Sequence, residues 1–578
     1  MVKKPRPGVL ATKAVNQYRS RDAFAYLGLR HLLKGPVSRT DEWANTVAVD
    51  QIIRRGAASY FVSDHFKERD KSGNIEFRRI AVPGPVEILA ETALLTECAR
   101  HESLATRQPV FTYHLTRHAE RSGVFKNYMI GLRARHKAIE LECSRQPSAI
   151  VKFIDIKKFY PSLRTIDLQA AWRKHTNILD ATWRELGERL IADHQAFSID
   201  GSKGLLTGPM FSHFMANLVM RDLDLWAVSE LKAKYFRYVD DITLVGNATE
   251  VREAERKIAE RLSLFELELH PENSMKSIEV STSDWLVGKS DFEHNIGDVT
   301  WGKLVSDIKN FLTVNPDKAE ELSRAIASDG GRLPVFDYSL AIKEARHSAS
   351  FLERVRFAWF RRSVSDLSVN VIAQTAKSLK RKMEEEVGPM LAELPNATGF
   401  ARKRLVPKLR FRIGRLAYLS EESVLQMFSS AASGVEELDL QTEAIEATTS
   451  GDISSLVSMG SNAVQAALQP LKASGKQVSA TLRKAGVVEM QGLATAALNG
   501  VHVEITNPDY KRDEILELCM SHDIQRLRRS ESRFISELAL LTGKDGSHLP
   551  ILAQAFDEEE QITLDAVERF EESAPLDI

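Results

Sequence analysis

Tyr235-Phe236-Arg237-Tyr238-Val239-Asp240-Asp241-Ile242-Thr243-Leu244-Val245-Gly246 is the stretch on which the reading of this chain turns. Aromatic and β-branched residues flank two adjacent aspartates. The pattern predicts two strands, with Val239-Asp240-Asp241-Ile242 at or near the turn between them. Taken alone, the pair is first of all turn chemistry on a surface hairpin, since Asp is a common turn residue. Two carboxylates held together at a strand tip also repel, and a bound cation would neutralise them.

Upstream, Val151-Lys152-Phe153-Ile154-Asp155 reads as a buried strand that ends in an aspartate. A turn, two aromatics and Pro161 follow, then a helix from about Ile166 to His175. An Asp at the end of a buried strand needs a partner or a metal to offset its desolvation. Between the two aspartate sites, Gly204-Leu205-Leu206-Thr207-Gly208-Pro209 is a glycine-rich turn opening a helix with Phe214, Leu218 and Leu225 on its apolar face. Such a turn can admit a ligand close to backbone N–H groups. After the hairpin, a helix from about Glu250 to Phe265 carries Val251, Ala254, Ile258, Leu262 and Phe265 on one face, and Leu267 to Ser277 closes the region.

Residues 1–70 read as mostly helical, and Ile75 to Pro83 as a strand ended by Pro83-Gly84-Pro85, with a helix after it. Arg78 and Arg79 are successive strand residues, so they face opposite ways. They read either as a solvated pair or as one cation aimed into a cleft. From Arg117 to Arg145 the charge is largely basic, with Phe125 and Tyr128 interleaved. That suits a phosphate backbone with stacked bases, and equally an ordinary solvated helix.

With 578 residues the chain is too long for one ordinary core and predicts about two to four domains. Apolar content of 43% and charged content of 27% describe a globular protein. A formal net charge of −1 excludes a uniformly basic protein, so a nucleic acid would be met through a local groove. Cys98, Cys143 and Cys519 lie far apart without metal-ligand spacing, which fits a reducing compartment. No apolar segment follows the basic N-terminus, so no signal peptide is expected. The longest uncharged stretch, from Ile453 to Leu471, is too polar for a bilayer span, and no membrane partner is expected.

Beyond residue 297 the texture becomes amphipathic helices and short loops, with a strand signal at Val501 to Ile505. A basic run, Arg402-Lys403-Arg404 through Lys408, Arg410, Arg412 and Arg415, reads as a nucleic-acid contact or as a solvated helix face. Asp557-Glu558-Glu559-Glu560 begins an acidic tail.

Asp155 ending one strand and Asp240-Asp241 tipping a later hairpin form a layout that can bring carboxylates onto two divalent ions. A polymerase needs this arrangement to activate a primer hydroxyl and to hold a triphosphate during in-line displacement. The order of motifs resembles a reverse transcriptase. Asp155-Ile156-Lys157-Lys158-Phe159-Tyr160 resembles motif A, and Thr207-Gly208-Pro209-Met210-Phe211-Ser212 with Asn217 resembles motif B. Tyr238-Val239-Asp240-Asp241 resembles the motif C box, and Lys276 after Leu267-Glu268-Leu269 resembles motif D. Arg78 and Arg79 with Val82-Pro83 resemble the fingers segment.

The resemblance implies an α+β right-hand fingers/palm domain over residues 75–296, after an N-terminal helical segment, 1–74. A large all-α, repeat-like C-terminal domain would follow over 297–555, then the acidic tail over 556–578. It implies Asp155 and Asp240 as metal ligands, with Asp241 and Ile156 in the same metal set, and Mg²⁺ or Mn²⁺ as the ion. Tyr160 would be a steric gate against the ribose 2′-hydroxyl, and Gly208 and Ser212 would line the nucleotide site. One of Arg78 and Arg79 would meet the triphosphate, and Lys276 would assist the pyrophosphate leaving group. Arg402, Lys403, Arg404, Arg410 and Arg412 are the candidate nucleic-acid contacts.

Thr207 stands where retroviral enzymes have Gln, and His213 where Pro is usual. No RNase H, protease or endonuclease motif follows. The form of the motifs and the helical C-terminal half look most like bacterial abortive-infection and defence-associated reverse transcriptases, which act in the cytoplasm. Members of that group differ: some extend DNA without a conventional template, some prime on a protein hydroxyl, others copy a non-coding RNA, and several form homo-oligomers. The expected partners are therefore dNTPs and a DNA product, with an RNA template and self-assembly left open. Alternative readings are a retron-like or mobile-element enzyme copying a dedicated RNA, and a helical nucleic-acid-binding scaffold with a vestigial palm.

Overall fold

In a computed structural model the described residues are 7–19, 21–70, 72–199, 201, 204–272, 274, 276–287, 299–333, 335, 351–482, 486–506 and 510–542. The acidic tail lies outside them. The protein is mixed α/β, largely helical with small sheets, and its C-terminal region is helical. It divides into two compact units. The first takes Met1–Val62, Arg79–Ile296 and Ser532–Leu541; the second takes Ser63–Arg78, Gly297–Glu531 and Thr542–Ile578. Among the described residues no helix is long and apolar enough to cross a membrane.

The chain opens in helices, including α1 (Val9–Tyr18). The helical expectation for residues 1–70 ends at Arg54, because Tyr60–Arg69 is a strand, β1, seeded by Tyr60, Phe61, Val62 and Phe66. β2 (Ile75–Pro83) pairs with it and stops where expected, at Pro83. Pro85 then occupies the first turn of α2 (Pro85–Cys98), where its missing N–H costs nothing. α3 (Tyr128–Arg145) precedes β3 (Ile150–Asp155), and α4 (Thr165–His175) follows it. The glycine turn opens α5 (Met210–Glu230).

β4 (Lys234–Tyr238) and β5 (Asp241–Gly246) form the expected hairpin, and α6 (Ala248–Ser263) starts from a capping box between Asn247 and Glu250. β6 (Ile278–Ser281) completes a four-stranded antiparallel sheet in the order β4-β5-β3-β6. Ile242 through Gly246 are all buried, so this central strand is covered on both faces, which is why it reads as a continuous apolar run. Each Ile, Leu or Val fully buried there contributes about 1.5–3 kcal/mol.

Side-chain alternation sorts the helices. Arg237, opposite Ile242, reaches Asp224 of α5, and Lys152, opposite Leu244, reaches Glu255 of α6. Those two helices therefore share one face. Thr243, on the other face, receives Arg135 of α3. Asp155 and Asp241 are paired residues in the register of β3 and β5, on the α3 side.

In the second unit, α7 (Val369–Glu393) and α8 (Gly399–Leu419) pack through Ile372, Leu379, Met383, Val387, Leu409, Ile413 and Leu416. The tip of the β1/β2 hairpin belongs to this unit. The Asp64 amide donates to Gln491 Oε1 at 2.8 Å, the Phe66 amide to Asn462 Oδ1 at 2.8 Å, and Arg69 pairs with Asp439 at 2.9 Å. The strand signal near Val501 is β8 (Val503–Ile505), parallel to β7 (Val478–Ala480), a three-residue partner too short to leave a pattern in the sequence.

Candidate functional site

Tyr238 pairs with Asp241, so Val239 and Asp240 are the two loop residues of the hairpin. Val239 has φ 59°, a left-handed conformation that a β-branched residue adopts only under constraint, at the position where a two-residue hairpin prefers Gly. The constraint is visible on both sides. Arg237 Nη1 donates to the Val239 carbonyl at 2.8 Å, and the Ile156 amide donates to the Asp240 carbonyl at 3.2 Å.

Arg237 is completely buried, and its Nε and Nη2 each lie 2.7 Å from an oxygen of Asp224. Nη1 also lies 3.2 Å from Asn217 Oδ1, and the Tyr235 hydroxyl donates to Asp224 at 2.9 Å. A single guanidinium thus ties the aspartate turn to α5. The sequence pattern alone assigns Arg237 no role, although a charge in the middle of an apolar strand is itself the signal.

Asp155 ends β3 opposite Asp241 and is 4% exposed. Lys276 Nζ lies 3.0 Å from its Oδ2, and His270 Nε2 lies 3.3 Å from its Oδ1. The main chain closes the same corner, with the Lys157 amide donating to the Glu268 carbonyl at 2.8 Å and the His270 amide to the Asp155 carbonyl at 2.9 Å. Ile156, whose side chain is buried, sits in this corner through its bridge to Leu269. Behind the carboxylates, Arg135 donates to Thr243 Oγ1 at 2.6 Å, with its guanidinium 5.8 Å from the centroid of the Tyr238 ring. Within the basic stretch from Arg117 to Arg145, this cation is therefore buried beneath the hairpin.

Burial, with the charges of Asp241 and Asp155, pushes the Asp240 carboxyl up to about 6. Burial also raises Asp155, against the opposing pull of Lys276. Burial works against the charged form of Lys276, but its hydrogen bond and attraction to Asp155 outweigh this and raise it. The site is a concentration of negative charge that a cation would relieve.

The glycine turn meets β2 where the Ala81 amide donates to the Thr207 carbonyl at 2.7 Å. Gly208 has φ 128°, and a Cβ there would stand 2.4 Å from the Ala81 carbonyl oxygen, so only glycine fits. The amides at the start of α5 are met from below. Met210 N donates to the Tyr18 hydroxyl at 3.3 Å and Phe211 N to Glu91 Oε2 at 3.1 Å. Ser212, expected at a nucleotide, is fully buried and donates to the Leu206 carbonyl at 2.5 Å, so its hydroxyl braces the turn from inside. Tyr160 is half-buried, with its hydroxyl 2.7 Å from His213 Nδ1. Arg78 and Arg79 are both exposed on β2.

The basic run lies on α8, in the second unit. Arg402 grips Glu437 with two bonds, at 2.6 and 2.8 Å, and Arg410 Nε donates to the Glu437 carbonyl at 2.6 Å. Arg412 is 6% exposed and donates to Glu386 at 2.6 Å. Lys403 and Arg404 are half-buried, with Arg404 beside the Phe400 ring. Much of the run therefore serves helix packing inside this unit.

Among the described residues no group of three or more His, Cys, Asp or Glu side chains is arranged to hold a metal. Compared with known proteins, the chain matches no family model and no curated protein.

Proposed function

We propose that the protein is a DNA polymerase of the reverse-transcriptase type, adding dNTPs to a 3′-hydroxyl or a protein hydroxyl. Its proposed setting is bacterial antiphage defence, which rests on the sequence resemblance. The observation that carries the polymerase reading is the pairing of Asp155 with Asp241 across two central antiparallel strands, with Asp240 on the strained turn beside them. An antiparallel sheet with α5 and α6 on one face and carboxylates on the other is what a polymerase palm requires.

The donor set fits a hard divalent cation. Mg²⁺ is commonly held by one or two carboxylates and completes its shell with water and phosphate oxygens, so a closed cluster of three protein ligands is not needed. Asp155 and Asp240 would hold it, with Asp241 adding charge. When bound, the ion would activate the attacking hydroxyl and neutralise charge on the phosphates. The remaining tasks fall to the chain itself. Arg237 and Ile156 fix the turn that aims Asp240. Lys276 brings a cation to the edge of the site, where an anionic leaving group would pass. Gly208 lets β2 close against the turn that opens α5.

The test is incorporation of labelled dNTPs by the purified protein with Mg²⁺, with and without added template. Products are resolved before and after protease and RNase treatment. Loss of incorporation in Asp240→Asn and Asp155→Asn is expected. Equal incorporation by those variants and the wild type overturns the reading. A protease-sensitive product indicates priming on the protein, and dependence on RNA indicates templated synthesis.

A further inference from the structure

Arg21, Tyr113, Tyr160 and His213, from four separate segments of the first unit, converge on one point. His213 Nδ1 lies 2.7 Å from the Tyr160 hydroxyl, and Nε2 lies 3.4 Å from Arg21 Nη1. Tyr113 stacks flat on the imidazole, with centroids 3.9 Å apart and planes 6° apart, and Tyr160 meets it edge-on at 5.4 Å and 74°. Phe125 closes a further side at 6.3 Å and 70°.

The donor inventory fixes the direction of the two histidine bonds. A guanidinium only donates, so Nε2 accepts from Arg21. Burial, with the charge of Arg21, keeps the ring neutral, so its one proton is on Nδ1 and is donated to the Tyr160 oxygen. Asn217, which accepts from Arg237 Nη1 at 3.2 Å, also donates to the carbonyl of Thr112, the residue before Tyr113, at 3.1 Å, so the lock borders the aspartate turn.

A tyrosine ring turns about two torsions. Here the hydroxyl is tied at its tip and the partner ring is clamped by stacking, so the Tyr160 ring cannot swing aside.

We propose that His213 and Tyr113 are positioning residues that fix the Tyr160 ring as the wall met by the nucleotide sugar, so that a 2′-deoxy sugar is admitted and ribose refused. The proposal rests on the polymerase reading above. A ribose hydroxyl pressed on the carbons of that ring loses a water partner that the ring does not replace, a penalty worth about ten- to a hundredfold in selectivity. Steric overlap adds to it. His213 is the residue found where the resembling family usually has Pro, which could not make this bond.

The experiment compares kcat/KM for each dNTP and its ribonucleotide in wild type, His213→Ala, His213→Asn and Tyr113→Phe, with thermal melts to confirm folding. His213→Ala is expected to narrow the ratio about tenfold or more, because ribonucleotide use rises. His213→Asn, whose amide can donate from near the same place, restores part of it, and Tyr113→Phe narrows it less. A wild type that discriminates while His213→Ala keeps the same ratio overturns the lock and leaves the polymerase reading standing. A wild type that incorporates neither sugar overturns that reading, and the sugar-wall role with it.

The lock has its own readout in nucleotide-free protein. ¹⁵N-histidine spectra should show His213 protonated at Nδ1, with a resonance that moves in Tyr160→Phe. An unprotonated Nδ1, or a resonance indifferent to Tyr160→Phe, overturns the lock whatever the activity.

Discussion

Replacing Arg237 by methionine tests how the aspartate turn is held. The guanidinium is fully buried and makes four hydrogen bonds, two of them to Asp224, which is itself 5% exposed. Methionine fills most of the volume but leaves the Asp224 carboxylate buried with the Tyr235 hydroxyl as its remaining partner among those bonds. Stranding one member of a buried pair costs about 3–5 kcal/mol. For a domain of this order of size, each kcal/mol lowers the melting temperature by about 2–4 °C, so a drop of roughly 10 °C is expected in the transition of the first unit. The carbonyl of Val239 also loses its tie, so nucleotide incorporation should fall further than stability explains at temperatures where the variant is folded. Calorimetry on the full chain reads the first effect and a labelled-dNTP assay the second. The double variant Arg237→Met/Asp224→Asn should recover much of the melting loss, because the stranded charge is gone, but not the activity. A single variant that melts within about 2 °C of wild type, or a double variant no better than the single, refutes the strut.

Two further outcomes follow from buried charge. Burial, with the charge of Glu87, pushes Glu91 up to about 8 from the ordinary 4.5, and Tyr18, Tyr60 and Arg55 lie in the same cluster. The folded state therefore keeps a proton that the unfolded chain has released, and stability falls as pH rises between those values, by up to about 1.4 kcal/mol per pH unit. Glu91→Gln should flatten the fall in melting temperature between pH 5 and pH 8, leaving the part due to Glu87, which burial raises to about 7; an unchanged slope rules Glu91 out as a source. In the second unit, Arg412→Glu sets a carboxylate against Glu386 in a buried position and should destabilise that unit by about 3–5 kcal/mol in a thermal melt. Unchanged melting, together with a flatter salt dependence of nucleic-acid binding, would make Arg412 a phosphate contact instead.

The elements legible in the sequence are those set by local rules. Pro83-Gly84-Pro85 ends β2 and starts α2, and the Asp-Asp turn separates β4 from β5, because turn and breaker residues act within a few positions. The helix expected from about Ile166 to His175 is α4, within one residue. What could not be read is which distant carboxylate waits for each cation. Arg237 needs Asp224 on the preceding helix, 13 residues back, and Arg412 needs Glu386 on the neighbouring helix. The basic character of α8 was visible; that Arg402 and Arg412 would be turned onto carboxylates of their own unit was not. His213 stands out in the sequence as a departure from the motif, but its bond to Tyr160 depends on tertiary packing that no spacing rule encodes.

One turn carries a concentration of local penalties. Val239 is β-branched yet left-handed, Asp240 is a carboxyl driven upward by burial, and Asp241 faces Asp155 across the sheet. None of these would persist in a hairpin that had only to connect two strands, because Gly or Asn at the turn and Thr or Lys at the tip would remove the cost. They persist because Arg237 and Ile156 hold the turn from both sides, while Lys276, His270 and Arg135 surround the carboxylates with positive or hydrogen-bonding groups. Several local rules broken together on one turn, which neighbouring groups hold in place, mark it as a place where chemistry is to be sought. By that argument Asp155, Asp240 and Asp241 are the residues to change first.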